Sequence, residues 1–196
     1  PSTAVTPAIL AQGHAQRVSG SDCLGAYIVG YEVWAELAAR EPDPYHIKGW
    51  HPTAVFGTVA ATAALANLRG FQAPEAARAL AIGASLASGL VANFGTMTKP
   101  LHVGQCVRNG LMAAQLAQGG FTANPGALEH KQGYYAAYDG LANVHPERLL
   151  AHAGEGLEVE QESVGVKQFP CCGSTHPAVR GMLALHDRFI ADAAHQ

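Results

Sequence analysis

Between Arg78 and Arg108 a single residue, Lys99, carries a formal charge. The residues around it are mostly Ala, Gly, Ser, Leu and Val, the composition of an interior. A chain with so long an uncharged stretch has to enclose it, and lysine is rarely enclosed unless paired. The same economy runs through the whole sequence of 196 residues: 48% are hydrophobic and 14% are charged, against about 25% charged in an ordinary soluble domain. Much of the surface is therefore expected to be hidden, by a partner subunit or by further chain.

The net charge is −3 and the pI about 6.4. No global basic field for nucleic acid exists, and no Arg/Lys-rich run interleaves with aromatics. No apolar run is long enough to read as a membrane span. The four cysteines, Cys23, Cys106, Cys171 and Cys172, show neither CxxC spacing nor a disulfide framework, which reads as a reducing, cytoplasmic compartment.

Local signals predict a mainly helical chain. A first helix covers residues 1–18. Ser19-Gly20-Ser21-Asp22 matches a capping-box start, and Leu24, Tyr27, Ile28, Tyr31, Trp34 and Ala38 follow at helical spacing to Arg40. Residues 41–52, with three prolines, form a loop. Residues 53–68 are small and helix-forming, and Arg69-Gly70 stops them. Ala73-Pro74-Glu75 restarts a helix that runs to Ser88. Residues 89–99 are a loop, 100–117 a helix, and two short helical pieces fall between 126 and 152. After Gly154-Glu155-Gly156 the sequence alternates and gains β-branched residues, so one or two strands are expected over 157–170. Thr175-His176-Pro177 opens a last helix. This gives an Ala/Gly-rich helical domain over 1–156, then the start of a smaller α/β domain over 157–196.

Three places carry candidate chemistry. Lys99 offers three donors to a carboxylate, and free N–H groups of the helix after Pro100 would add to an anion site; the plainer reading is a lysine reaching for water. His102 lies one turn further on. His51, before Pro52, could carry protons or bind a carboxylate. Residues 166–179 bring Lys167, Cys171, Cys172 and His176 together; their spacing fits no familiar zinc site, and vicinal cysteines are commonly just small apolar residues. The remaining histidines receive no role. Glycine signatures of nucleotide sites and a GxSxG elbow are absent.

Three motifs, GWHPTAVFGTVAATAALANLRG, GTMTKPLHVGQCVRNGLMAAQLAQGGFTANPGALE and VKQFPCCGSTHPAV, occur in an order that strongly resembles the MmgE/PrpD family, which includes 2-methylcitrate dehydratase, cis-aconitate decarboxylase and iminodisuccinate epimerase. The resemblance implies a large all-α domain carrying an α/β lid, a homodimer, no metal or organic cofactor, and small di- or tricarboxylate substrates. It places the family's site histidine on His51, its lysine on Lys99 with His102 beside it, and its lid lysine on Lys167, with Cys172 and His176 as substrate contacts. Cys172 stands where the decarboxylase branch has histidine, so a dehydratase of the 2-methylcitrate type is the first expectation. Epimerisation, decarboxylation and a non-catalytic helical oligomerisation module are the alternatives. The family's Asp- and His-bearing segment ahead of Pro1 is not in this sequence, so the chain is expected to be an internal piece of a longer protein. Lys99 is expected to face a closed pocket, its charge met by substrate carboxylates.

Overall fold

The computed structural model describes residues 1–40, 43–140, 156–160 and 165–193. The chain divides into two compact units, residues 1–159 and 160–196. The first unit is built around α3 (Pro52–Leu68), which has no charged residue and buries thirteen of its seventeen positions. A helix that is apolar all round is stable only when enclosed. Here α1 (Ser2–Gln16), α2 (Gly20–Ala39), α4 (Ala73–Leu86) and α5 (Thr98–Gln118) enclose it.

Small residues let these helices approach closely. Gly30 of α2, Gly83 of α4 and Gly110 of α5 each face α3, and a methyl group on any of them would come within 3.0 Å of a neighbouring atom. The two buried threonines of α3 return their hydroxyls to the helix itself: Thr58 donates to the Ala54 carbonyl at 3.0 Å and Thr62 to the Thr58 carbonyl at 2.8 Å. Neither hydroxyl is stranded by this enclosure.

The local signals at the helix starts hold. Ser19 caps α2, accepting from the Asp22 N–H at 3.1 Å while its own N–H reaches the Asp22 carboxylate at 3.3 Å. Pro52 and Pro74 each sit in a first turn, where a missing N–H breaks no helical bond. One short helix, α6 (Tyr134–Asp139), falls in the region where two were expected; residues 141–155 lie outside the described residues.

Aromatic rings close the N-terminal end of α3. Tyr45 meets Phe56 at 4.8 Å between centroids, and Trp50 meets Tyr138 edge-on at 5.0 Å. The Tyr138 hydroxyl donates to the Ala87 carbonyl at 2.6 Å. At the end of the unit the two carboxylate oxygens of Glu32, on α2, accept from the N–H groups of Glu158 and Val159, both at 3.1 Å.

The second unit contains a turn at Gly173–Thr175 and α7 (His176–Ala193). The strands expected over 157–170 are not formed among the described residues. Glu158–Glu160 is a single 3-10 turn and residues 165–170 carry no ladder; residues 161–164 lie outside the described ones. Alternation supplies a pattern but not a partner, and a strand without a neighbouring edge has nothing to hydrogen-bond.

Candidate functional site

His51 occupies the cap position ahead of α3 with φ −81° and ψ 103°. The following proline enforces that extended backbone. Its N–H donates to the Gly89 carbonyl at 3.0 Å, and the Val91 N–H donates to the Gly49 carbonyl at 2.9 Å. Residues 49–51 and 89–91 thus pair antiparallel around a bridge between Trp50 and Leu90. The pairing needs glycine at 89, whose φ is +153°. A methyl there would lie 2.8 Å from Ala54 Cβ and 3.2 Å from His102 Nδ1.

This pairing delivers the loop 91–97 to the side of His51. Phe94 meets the His51 ring edge-on, with centroids 4.8 Å apart. Lys99, in the first turn of α5, holds its Nζ 4.3 Å from the Phe94 ring centre, an attraction between cation and ring face. His102, one turn into α5, places Nδ1 3.0 Å from Nδ1 of His51, the rings tilted by 53°. Behind them the buried Cys106 thiol donates to the carbonyls of Ala54, at 3.2 Å, and His102, at 3.1 Å, tying the starts of α3 and α5 together. Burial pushes the Cys106 thiol pKa up, so it stays a donor. His51 is 5% exposed. Burial first, then His102 and Lys99, lower its pKa to about 4. It is therefore a neutral imidazole at pH 7.

Within the first unit Lys99 is half-buried, its ammonium over Phe94, itself 39% exposed. The helix N–H groups expected to help it bind an anion are already engaged. α5 begins at Thr98, ahead of Pro100. The Thr98 N–H donates to Thr96 Oγ1 at 3.2 Å, that of Lys99 to the Thr96 carbonyl at 3.2 Å, and that of Leu101 to the Met97 carbonyl at 3.4 Å. Pro100 has no N–H.

The structure thus brings His51, Lys99 and His102 together in the first unit. Lys167, Cys172 and His176 belong to the second. Lys167, Cys171 and Cys172 are exposed. Cys171 Sγ lies 3.2 Å from Thr175 Oγ1, which donates to the Cys172 carbonyl at 2.7 Å. His176 opens α7 with its ring edge-on to Phe169, centroids 5.2 Å apart. Among the described residues no three His, Cys, Asp or Glu side chains are grouped as metal ligands would be.

Phe94 was not singled out in the sequence. The signal available was an aromatic residue in a glycine-punctuated loop between two candidate residues. A cleft of about 340 Å³ opens beyond Trp50, lined by Ser85, Asn124, His130, Gln132 and Tyr134 among others; none of the candidate residues lines it. A neutral imidazole with a second histidine beside it, an ammonium and an aromatic wall can together hold a small carboxylate and move a proton beside it.

A family model described as "MmgE/PrpD N-terminal domain" matches residues 1–147. The human protein named cis-aconitate decarboxylase is 34% identical over 200 residues, covering 99% of this chain and 41% of the relative. Its mouse counterpart is 34% identical over 206 residues, covering 100% of this chain and 42% of the relative. The cis-aconitate decarboxylase of Aspergillus terreus is 31% identical over 196 residues, covering 94% and 40%. The chain therefore spans less than half the length of the curated relatives it matches.

Proposed function

The chain belongs to the MmgE/PrpD family, and from that premise we propose that it is the helical part of a lyase acting on a small di- or tricarboxylate. The observation that carries this reading is the meeting of neutral His51, His102 and the Lys99 ammonium around Phe94. The ammonium offsets charge that builds on a substrate carboxylate in the transition state. The imidazoles move the proton on the neighbouring carbon. All of this chemistry is assigned to side chains, with no cofactor.

Carbon–carbon cleavage is the first reading, because the relatives named above are decarboxylases. The bond to one carboxylate breaks, carbon dioxide leaves, and the electron pair left on carbon takes a proton from a histidine. Dehydration is the second reading, favoured by Cys172, which by the family resemblance stands where the decarboxylase branch has histidine. There a histidine takes the proton from carbon and the hydroxyl leaves as water. On the resemblance alone, Lys167 is assigned to a second carboxylate, Cys172 and His176 to substrate contacts, and the protein to a homodimer; its cysteine usage fits a reducing compartment. No helix among the described residues is long and apolar enough to cross a membrane.

The test is to incubate the full-length gene product separately with cis-aconitate and with 2-methylcitrate and follow both by proton NMR. Release of carbon dioxide with a new methylene signal supports the first reading; loss of the methine proton of 2-methylcitrate, with its methyl doublet collapsing to a singlet, supports the second. Lys99→Ala is expected to lower turnover by orders of magnitude, and near-native turnover in that variant removes Lys99 from the site.

A further inference from the structure

The contact between His51 and His102 joins like atoms, Nδ1 to Nδ1, at 3.0 Å. A neutral imidazole carries one proton on its two nitrogens. Two neutral rings in the common Nε2–H form would point two lone pairs at each other across this distance. Between two neutral rings the contact is a hydrogen bond only when one ring carries its proton on Nδ1, and that ring then has a bare Nε2. The partner ring accepts at Nδ1 and carries its proton on Nε2. The pair therefore presents one base and one acid at the same time. No ring nitrogen of either histidine is buried without a partner. Among the described residues neither Nε2 has a hydrogen-bond partner, so both Nε2 atoms reach accessible space.

We propose that His51 and His102 work as a single acid–base unit that shares one Nδ1 proton and exchanges roles when that proton crosses. This deepens the lyase reading and rests on it for the identity of the substrate, though not for the hydrogen bond itself. In one passage the bare Nε2 takes a proton from the substrate carbon or from water. The proton on the same ring's Nδ1 moves to the Nδ1 of the partner. The partner's Nε2–H then passes to the leaving hydroxyl or to the substrate carbanion. One proton enters, one crosses and one leaves, so the pair carries a positive charge only while the proton is in transit and is neutral again at the end. It ends as the mirror image of its starting form. The surroundings suit a neutral relay. Lys99 and the partner ring both disfavour a positive charge on His51, and the Phe94 edge restrains its ring. Neither backbone nor side chain offers a carboxylate to the pair among the described residues, so nothing there would trap an imidazolium.

The full-length protein labelled with 15N-histidine tests this directly by long-range proton–nitrogen correlation at pH 7. The expected spectrum contains one ring protonated at Nδ1 and one at Nε2 that both change in His51→Asn and in His102→Asn. A wild-type spectrum in which every histidine is in the Nε2–H form overturns the proposal, and it needs no variant to fold. Kinetics give the second arm. Each single variant is expected to lose at least about a hundredfold in kcat, while the double variant falls no further than the worse single one, as members of one unit do. Losses that multiply in the double variant overturn the shared role. If the tautomer pattern is found but no polycarboxylate is turned over, the relay stands and the lyase reading falls.

Discussion

Exchanging two glycines of α5 for alanine, one at a time, separates packing from helix propensity. Gly104 and Gly110 both lie inside the helix, so alanine gains roughly 1 kcal/mol of backbone propensity at each. At Gly104 a new methyl meets nothing within 4 Å. At Gly110 it would lie 3.0 Å from Ala61 Cβ, 3.2 Å from the Thr62 nitrogen and 3.3 Å from the Ala61 carbonyl carbon. Two of those atoms are backbone and the third is a methyl without rotamers, so none can swing aside. Forcing an extra methyl into such a contact costs about 1–3 kcal/mol. Propensity cancels between the two variants. Gly110→Ala is therefore expected to be less stable than Gly104→Ala by about 1–3 kcal/mol. With a urea slope of about 1–3 kcal/mol per molar, their unfolding midpoints should stand on the order of 1 M apart. Equal midpoints, or a Gly110→Ala midpoint above that of Gly104→Ala, would refute the idea that α3 and α5 are held at contact distance.

Three further outcomes follow from the same geometry. His51 stays neutral in the folded protein down to about pH 4, against about 6.5 in an unfolded chain. The unfolded chain thus binds more protons between those values. Stability should rise with pH across that window and be lost as pH falls through it, and urea midpoints for His51→Phe should show a shallower slope than wild type from pH 4 to 7. Ser19→Ala removes the cap of α2 and is expected to cost about 1 kcal/mol, an unchanged melting temperature being the result against it. Glu32→Ala leaves the Glu158 and Val159 N–H groups without their carboxylate. Hydrogen exchange at those two amides should quicken about tenfold or more, given roughly 1.5–3 kcal/mol for a bond to a charged group, while amides within α3 keep their rates.

What could be read from the sequence was what is local. Ser19 with Asp22, Pro52 and Pro74 announce helix starts because capping and a missing N–H act within one turn. The small residues of 53–68 announce a helix, but not that four others would surround it; that follows from where Gly30, Gly83 and Gly110 arrive in space. His51, Lys99 and His102 were marked by motif, yet their meeting depends on 49–51 pairing with 89–91, a contact between distant segments. The Thr96 contacts with the Thr98 and Lys99 N–H groups were invisible because they belong to a turn that begins before the expected helix. The alternation after Gly156 misled because a period of two is necessary for a strand and not sufficient.

The two sides of the site differ in how freely they can change. His51 heads a helix whose residues 54–66 are all buried, and a methyl at Gly57 would lie 3.0 Å from Ala4 Cβ. Facing it is a loop whose Phe94 and Met97 are 39% and 90% exposed. On the proposed function, new substrate preferences would enter most readily by rewriting residues 90–97 while His51 keeps its place. A library confined to that loop would sample altered specificity among folded variants, whereas one spread over 54–66 would mostly sample failure to fold.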